Sequence, residues 1–134
     1  MTAMQLNYIA NASVPSSSGR TIPVIDPSDG QPFDEIQRIN ADDIDAAVHA
    51  ARQCYNAVWQ KLAPVERGRL LQKLSAKILE HADELTALEQ RDCGKPTKQA
   101  RADAIALARY FEFYAGACDK FHGETIPYPD GYSV

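Results

Sequence analysis

The spacing of apolar residues changes at Asn40, and that change divides the chain into two kinds of structure. From Leu6 to Ile39, short apolar runs ("LNYIA", "RTIPVI" and "PFDEIQRI") are interrupted by "VPSSSG" and "DPSDGQ". Pro, Ser, Asp and Gly favour turns, so residues 1–40 read as β-hairpins. Hairpins alone are marginal in water and must pack on something larger. Beyond Asn40 the period lengthens. Ile44, Ala47, Val48, Ala51, Tyr55, Val58 and Trp59 recur at three- and four-residue intervals, the stripe of an amphipathic helix that runs to about Gln60. Asn40 or Asp42 can accept hydrogen bonds from the free amides of its first turn, and Asp42, Asp43 and Asp45 suit its positive end.

The helical pattern continues. Pro64 stands where proline is favoured, at a first helical position, and Leu70, Leu71, Leu74, Ile78 and Leu79 carry an apolar face to about Glu80. A restart at His81–Glu84 leads through Leu85 and Leu88 to Gly94, a left-handed cap. Thr97 is expected to cap a last helix whose face carries Ala100, Ala104, Leu107, Ala108, Phe111, Tyr114, Ala115 and Cys118, with Gly123 as its stop. Residues 41–123 are therefore expected to be helical. Residues 124–134, "ETIPYPDGYSV", read as an extended tail, as though a strand had been cut. At 134 residues the chain is one domain by length, and with 45% hydrophobic and 24% charged residues it should fold.

A net charge of −4 gives no electrostatic reason to approach nucleic acid or an anionic membrane. No stretch approaches the roughly 18 apolar residues of a membrane span, and "MTAMQLNYIANASV" has neither a basic nor an apolar leader segment, so a cytoplasmic protein is expected. Cys54, Cys93 and Cys118 suit neither a disulfide framework nor a metal knuckle and read as reduced thiols. His49, His81 and His122 have no partner at i+4, which argues against zinc. No glycines fall at dinucleotide-loop or Walker spacing. Arg69, Lys73 and Lys77 read as a solvated basic row, and Tyr110, Phe111, Phe113 and Tyr114 as core.

Cys93, in "LEQRDCGKPTKQA", is the one side chain that invites a catalytic reading. A nucleophilic thiol needs a proton acceptor beside it. Arg91 and Lys95 could lower its pKa but cannot take its proton while charged. It is not read as a nucleophile, and no catalytic residue is assigned to the chain.

Several stretches, taken in order, resemble one family. "YIANASVPSSSGRTIPVIDPSDGQPFDEI" is similar to the opening of the NAD(P)-dependent aldehyde dehydrogenases, with Ile25–Gln31 in place of their "INPATGE" turn. "DIDAAVHAARQCYNAVWQKLAPVERGRLLQKLSAKILEHADELTALEQRDCGKP" resembles the helices that follow and the "LDTGKP" signature. "RYFEFYAGACDKFHGETIP" resembles "YYAGWADKYHGxTIP". Two departures affect packing. The usual Asn-Gly hairpin turn is Asn11-Ala12 here, and alanine is poor at positive φ. The tryptophan of "AGWAD" is Cys118 or Ala117.

The resemblance implies an α/β parent fold of which this chain is the mostly helical N-terminal segment, with N-terminal β-hairpins. Residues 1–40 would belong to an oligomer-forming sheet and 41–123 to the cofactor domain. The full-length enzyme would oxidise an aldehyde substrate to the acid with NAD or NADP, as a homo-oligomer, dimer or tetramer. Its catalytic cysteine, general-base glutamate and dinucleotide site would all lie downstream, which leaves this chain inactive alone with no cofactor-binding residue. Cys93 falls where the family carries Thr or Ser. The same turn resembles half of a monovalent cation site for potassium or sodium, with ligands from the Asp92 carboxylate and the main-chain oxygens of Val24 and Ile25; the alternative is that Asp92 only caps or pairs locally. A competing reading of the whole chain is a non-catalytic helical module that dimerises through its apolar stripes.

Overall fold

The computed structural model describes residues 5–124. The expected extended tail lies outside them except for Glu124. Two antiparallel hairpins precede four helices. Strand β1 (Asn7–Ile9) pairs with β2 (Ala12–Val14), with Ile9 opposite Ala12, and the two-residue turn between them is Ala10–Asn11. Both turn residues have positive φ, 52° and 65°, as a turn matching the twist of its strands requires. The turn thus sits one residue earlier than expected. Ala12 is in β2, and the alanine that bears the left-handed conformation is Ala10. Strand β3 (Arg20–Ile25) pairs with β4 (Pro32–Arg38), from Arg20↔Arg38 to Val24↔Asp34, with an irregularity between Val24 and Ile25. The loop between them closes on Asp26, whose Oδ1 accepts from the Ser28 amide (2.9 Å) and hydroxyl (2.6 Å).

Hydrogen bonds tie the serine-rich stretch before β3 to the first helix. Helix α1 (Ala41–Ala57) opens with a capping box: the Asn40 side chain accepts from the Asp43 amide at 3.0 Å, and the Asp43 carboxylate accepts from the Asn40 amide at 3.3 Å. That carboxylate also accepts from the buried Ser16 hydroxyl (2.5 Å) and the Ser17 amide (3.1 Å). Asn40 Nδ2 donates to Ser17 Oγ at 2.9 Å, and Gln37 Oε1 of β4 accepts from the Ser16 amide at 2.9 Å. The serine-rich stretch that reads as a simple turn is therefore a connector. Hydrogen bonds from Ser16, first, and Ser17 hold the Asp43 carboxyl well below its usual 3.8, at about 2.

Past α1 and a single 3₁₀ turn at Trp59–Lys61 come α2 (Pro64–Glu80), α3 (Ala82–Cys93) and α4 (Thr97–Ala117). Pro64 occupies the first position of α2, and Gly94 closes α3 at φ 69° with its amide bonded to the Gln90 carbonyl. Thr97 does not cap α4. It is the first helical residue, and its hydroxyl accepts from Gln90 Nε2 at 2.7 Å.

Helix α2 packs on α4 through small residues. A Cβ added to Gly68 would lie 2.6 Å from the Ala115 carbonyl oxygen. Seven residues further along α2, the buried Ser75 hydroxyl donates to the Ala108 carbonyl at 2.8 Å. Ala100, Ala104 and Ala108, at four-residue steps on α4, are buried with Ile78 and Ala82. Side chains this short let two helix backbones approach closely, so the spacing is set by atoms that are absent.

The consequence is that many bulky residues of the expected faces point outward, although Ile78 is buried and Leu71 and Phe111 are half-buried. Leu107 is exposed, as are Tyr110, Phe113 and Tyr114, so those aromatics are not core among the described residues. Helix α1 has no buried residue at all, and Ile44, Val48, Tyr55 and Trp59 of its stripe are open. A compact monomer of 14.8 kDa is expected to expose about 7,000 Å², whereas this chain exposes 10430 Å². Large apolar side chains exposed at helical spacing, such as Ile44 and Val48 on α1 and Tyr110 and Phe113 on α4, mark an interaction face.

Three outcomes follow from this packing. Gly68→Ala should lower the unfolding free energy by about 1–3 kcal/mol in urea titrations, because the clash with backbone outweighs the roughly 1 kcal/mol that alanine gains over glycine in a helix interior; an unchanged midpoint would contradict the close contact. Because the Asp43 pKa is depressed on folding, its contribution is complete above 3.8 and is lost as pH falls towards about 2. The stability difference between wild type and Asp43→Asn should therefore shrink across that window and be constant above it. Finally, the isolated 134-residue chain should self-associate in light scattering at micromolar concentration and bind a hydrophobic dye; a clean monomer that binds none would show that the chain covers its own faces.

Candidate functional site

The C-terminal end of α3 lies against the β3–β4 hairpin. A Cβ added to Gly94 would stand 3.2 Å from Pro27 Cγ in the hairpin loop, so Gly94 serves both a left-handed backbone and a close approach. One turn earlier, the Arg91 guanidinium sits 4.3 Å from the centroid of the Phe33 ring on β4. Between helix and hairpin is an open cleft of about 580 Å³ whose walls include Val24, Phe33 and Leu88 together with the carboxylates of Asp34, Glu84, Glu89 and Asp92.

The structure brings Val24 and Asp92 to the same cleft, although they lie far apart in sequence. Asp92 is exposed there. Ile25 is not among the residues that line it; it stands at the irregular step of β3, next to Val24, and is exposed. Among the described residues, no three His, Cys, Asp or Glu side chains are grouped closely enough to hold a metal ion by themselves. A cation in this cleft would need main-chain oxygens to complete its shell. Hard oxygen donors of that kind suit an alkali or alkaline-earth ion rather than a transition metal.

Cys93 is exposed, and its thiol donates to the Glu89 carbonyl at 3.0 Å, an ordinary back-bond within the helix. The two cations next to it in sequence are engaged elsewhere. Lys95 bridges Glu89 and Asp103, at 2.7 Å from the latter, and these partners, Asp103 first, hold its ammonium protonated above the usual lysine range. Arg91 faces Phe33. Neither is left to activate the thiol. The Lys95 bridge also joins the end of α3 to the second turn of α4 across Gly94 and Pro96. Adjacency in sequence sets Arg91 and Lys95 beside Cys93 and does not show these roles; a short-range charge pattern hints at Glu89–Lys95–Asp103, but nothing local signals that Arg91 meets a ring on β4.

The basic row on α2 is largely paired along its own helix, Arg69 with Glu66 and Lys77 with Glu80 at 2.7 Å, as a solvated face should be. His81 contacts Glu84 at 2.9 Å on the surface. No helix among the described residues is long and apolar enough to cross a membrane.

Comparison with known proteins places this arrangement. The chain is 46% identical over 125 residues to aldehyde dehydrogenase [NAD(P)+] 2 of Saccharomyces cerevisiae, a match that covers 90% of this chain and 24% of the yeast protein. It superposes with a TM-score of 0.92 on a crystal structure from Burkholderia cenocepacia assigned to the aldehyde dehydrogenases, at 55% identity, covering 96% of this chain and 27% of that one. A betaine aldehyde dehydrogenase from Staphylococcus aureus, solved with NAD+, superposes at 0.89 with 29% identity, over 95% of this chain and 26% of that one. The chain thus spans about a quarter of the length of the relatives it matches. The model of the aldehyde dehydrogenase family matches residues 14–134, nearly the whole sequence, and this chain belongs to the aldehyde dehydrogenase family.

Proposed function

We propose that this chain is the N-terminal structural segment of an enzyme that oxidises an aldehyde to a carboxylic acid, with NAD or NADP as acceptor. Aldehyde, oxidised nucleotide and water give carboxylate, reduced nucleotide and protons, a two-electron transfer. The observation that carries the reading is the superposition at 55% identity over 96% of the chain. The yeast relative's name supports either nucleotide, and the staphylococcal complex supports NAD+.

The described residues do not themselves offer a nucleotide cradle. The glycines with positive φ lie elsewhere than between a strand and a helix N-terminus: Gly19 in the β2–β3 connection, Gly30 in the β3–β4 loop and Gly94 at a helix C-terminus. At the start of α1 the Asn40 side chain already takes the Asp43 amide. No step of the chemistry is therefore assigned to these residues. Their part is positional: α2 and α3 pack on α4, and the outward faces of α1 and α4 are the surfaces on which a larger fold can be built.

Within the same proposal, the cleft between α3 and β3–β4 takes a potassium or sodium ion through Asp92 and the main-chain oxygens of Val24 and Ile25. Support comes from the shared cleft of Val24 and Asp92 and from the carboxylates around it. The hairpin region, residues 1–40, belongs to the sheet of a homo-oligomer, dimer or tetramer, and the helical region, residues 41–123, to the cofactor domain of a cytoplasmic enzyme.

The reading is tested on the longer polypeptide that carries this segment. It should reduce NAD+ or NADP+ in the presence of at least one member of a broad aldehyde panel, and failure with every pair would contradict the assignment. In that protein Cys93→Ser should leave turnover within about twofold of wild type, since no acceptor adjoins the thiol; a thousandfold loss with the fold intact would restore Cys93 as a nucleophile. Asp92→Ala should lower the melting temperature and abolish its rise with added potassium or sodium, with little effect in salt-free buffer. An unchanged salt response would remove the cation from the cleft.

A further inference from the structure

We draw no further inference here: the strongest candidate, the groove of about 270 Å³ between the β1–β2 hairpin and α1, where the Asn7 amide nitrogen is buried without a partner beside Ile39, Ile44 and Val48, is an unpartnered apolar face, and nothing in the structure shows what covers it.

Discussion

The absence of a side chain at Gly68 sets the distance between α2 and α4, and most of the fold is arranged around that distance. With the Ala115 carbonyl oxygen at 2.6 Å from where a Cβ would stand, the two backbones meet directly. Apart from Ile78, the buried positions on these two helices are small: Ser75 donates to Ala108, and Ala100 and Ala104 are buried on α4. A seam of alanine, serine and glycine buries little apolar area per residue, so its strength comes from close packing of backbone atoms rather than from large side chains. It also decides what is left over, because a helix that turns its small face inward must turn its large face out.

The same seam supports the candidate site. Helix α3 is held to α4 by the Lys95 bridge from Glu89 to Asp103 and by Arg101 with Asp83. With α3 fixed, its glycine-capped end can present Asp92 to the β3–β4 hairpin, and Arg91 over Phe33 and Gly94 against Pro27 hold the hairpin in place. At the other end of that hairpin, Ser16 and Asp43 fasten it to α1. The hairpin is thus pinned at two points to two different helices. That resolves the difficulty of a two-stranded sheet, which is too small to be stable alone.

The outward faces have a physical reading in the family's dimensions. The chain covers about a quarter of its relatives' length, and Ile44, Val48, Tyr110 and Phe113 are exposed in it. Each is ordinary core chemistry at helical spacing. Periodicity marks such a stripe but does not say whether anything covers it.

Much of the local structure was legible in the sequence because it depends on near neighbours. Pro64 starts a helix, Gly94 ends one, and Asn40 begins another, since each acts on amides or carbonyls within one turn. Where two local solutions compete, reading failed by a residue: the first hairpin turns at Ala10–Asn11, because pairing of Ile9 with Ala12 fixes the register, and Thr97 yields its capping role once Gln90 occupies its hydroxyl. The family, too, was readable from the order of motifs. What the tertiary structure alone decided is which stripe faces inward, that Lys95 and Arg91 engage Asp103 and Phe33 rather than Cys93, and that Ile25 does not line the cleft that Val24 and Asp92 share. These depend on contacts between residues far apart in the chain, and such contacts are chosen by the geometry of packed helices, not by the chemistry of adjacent side chains.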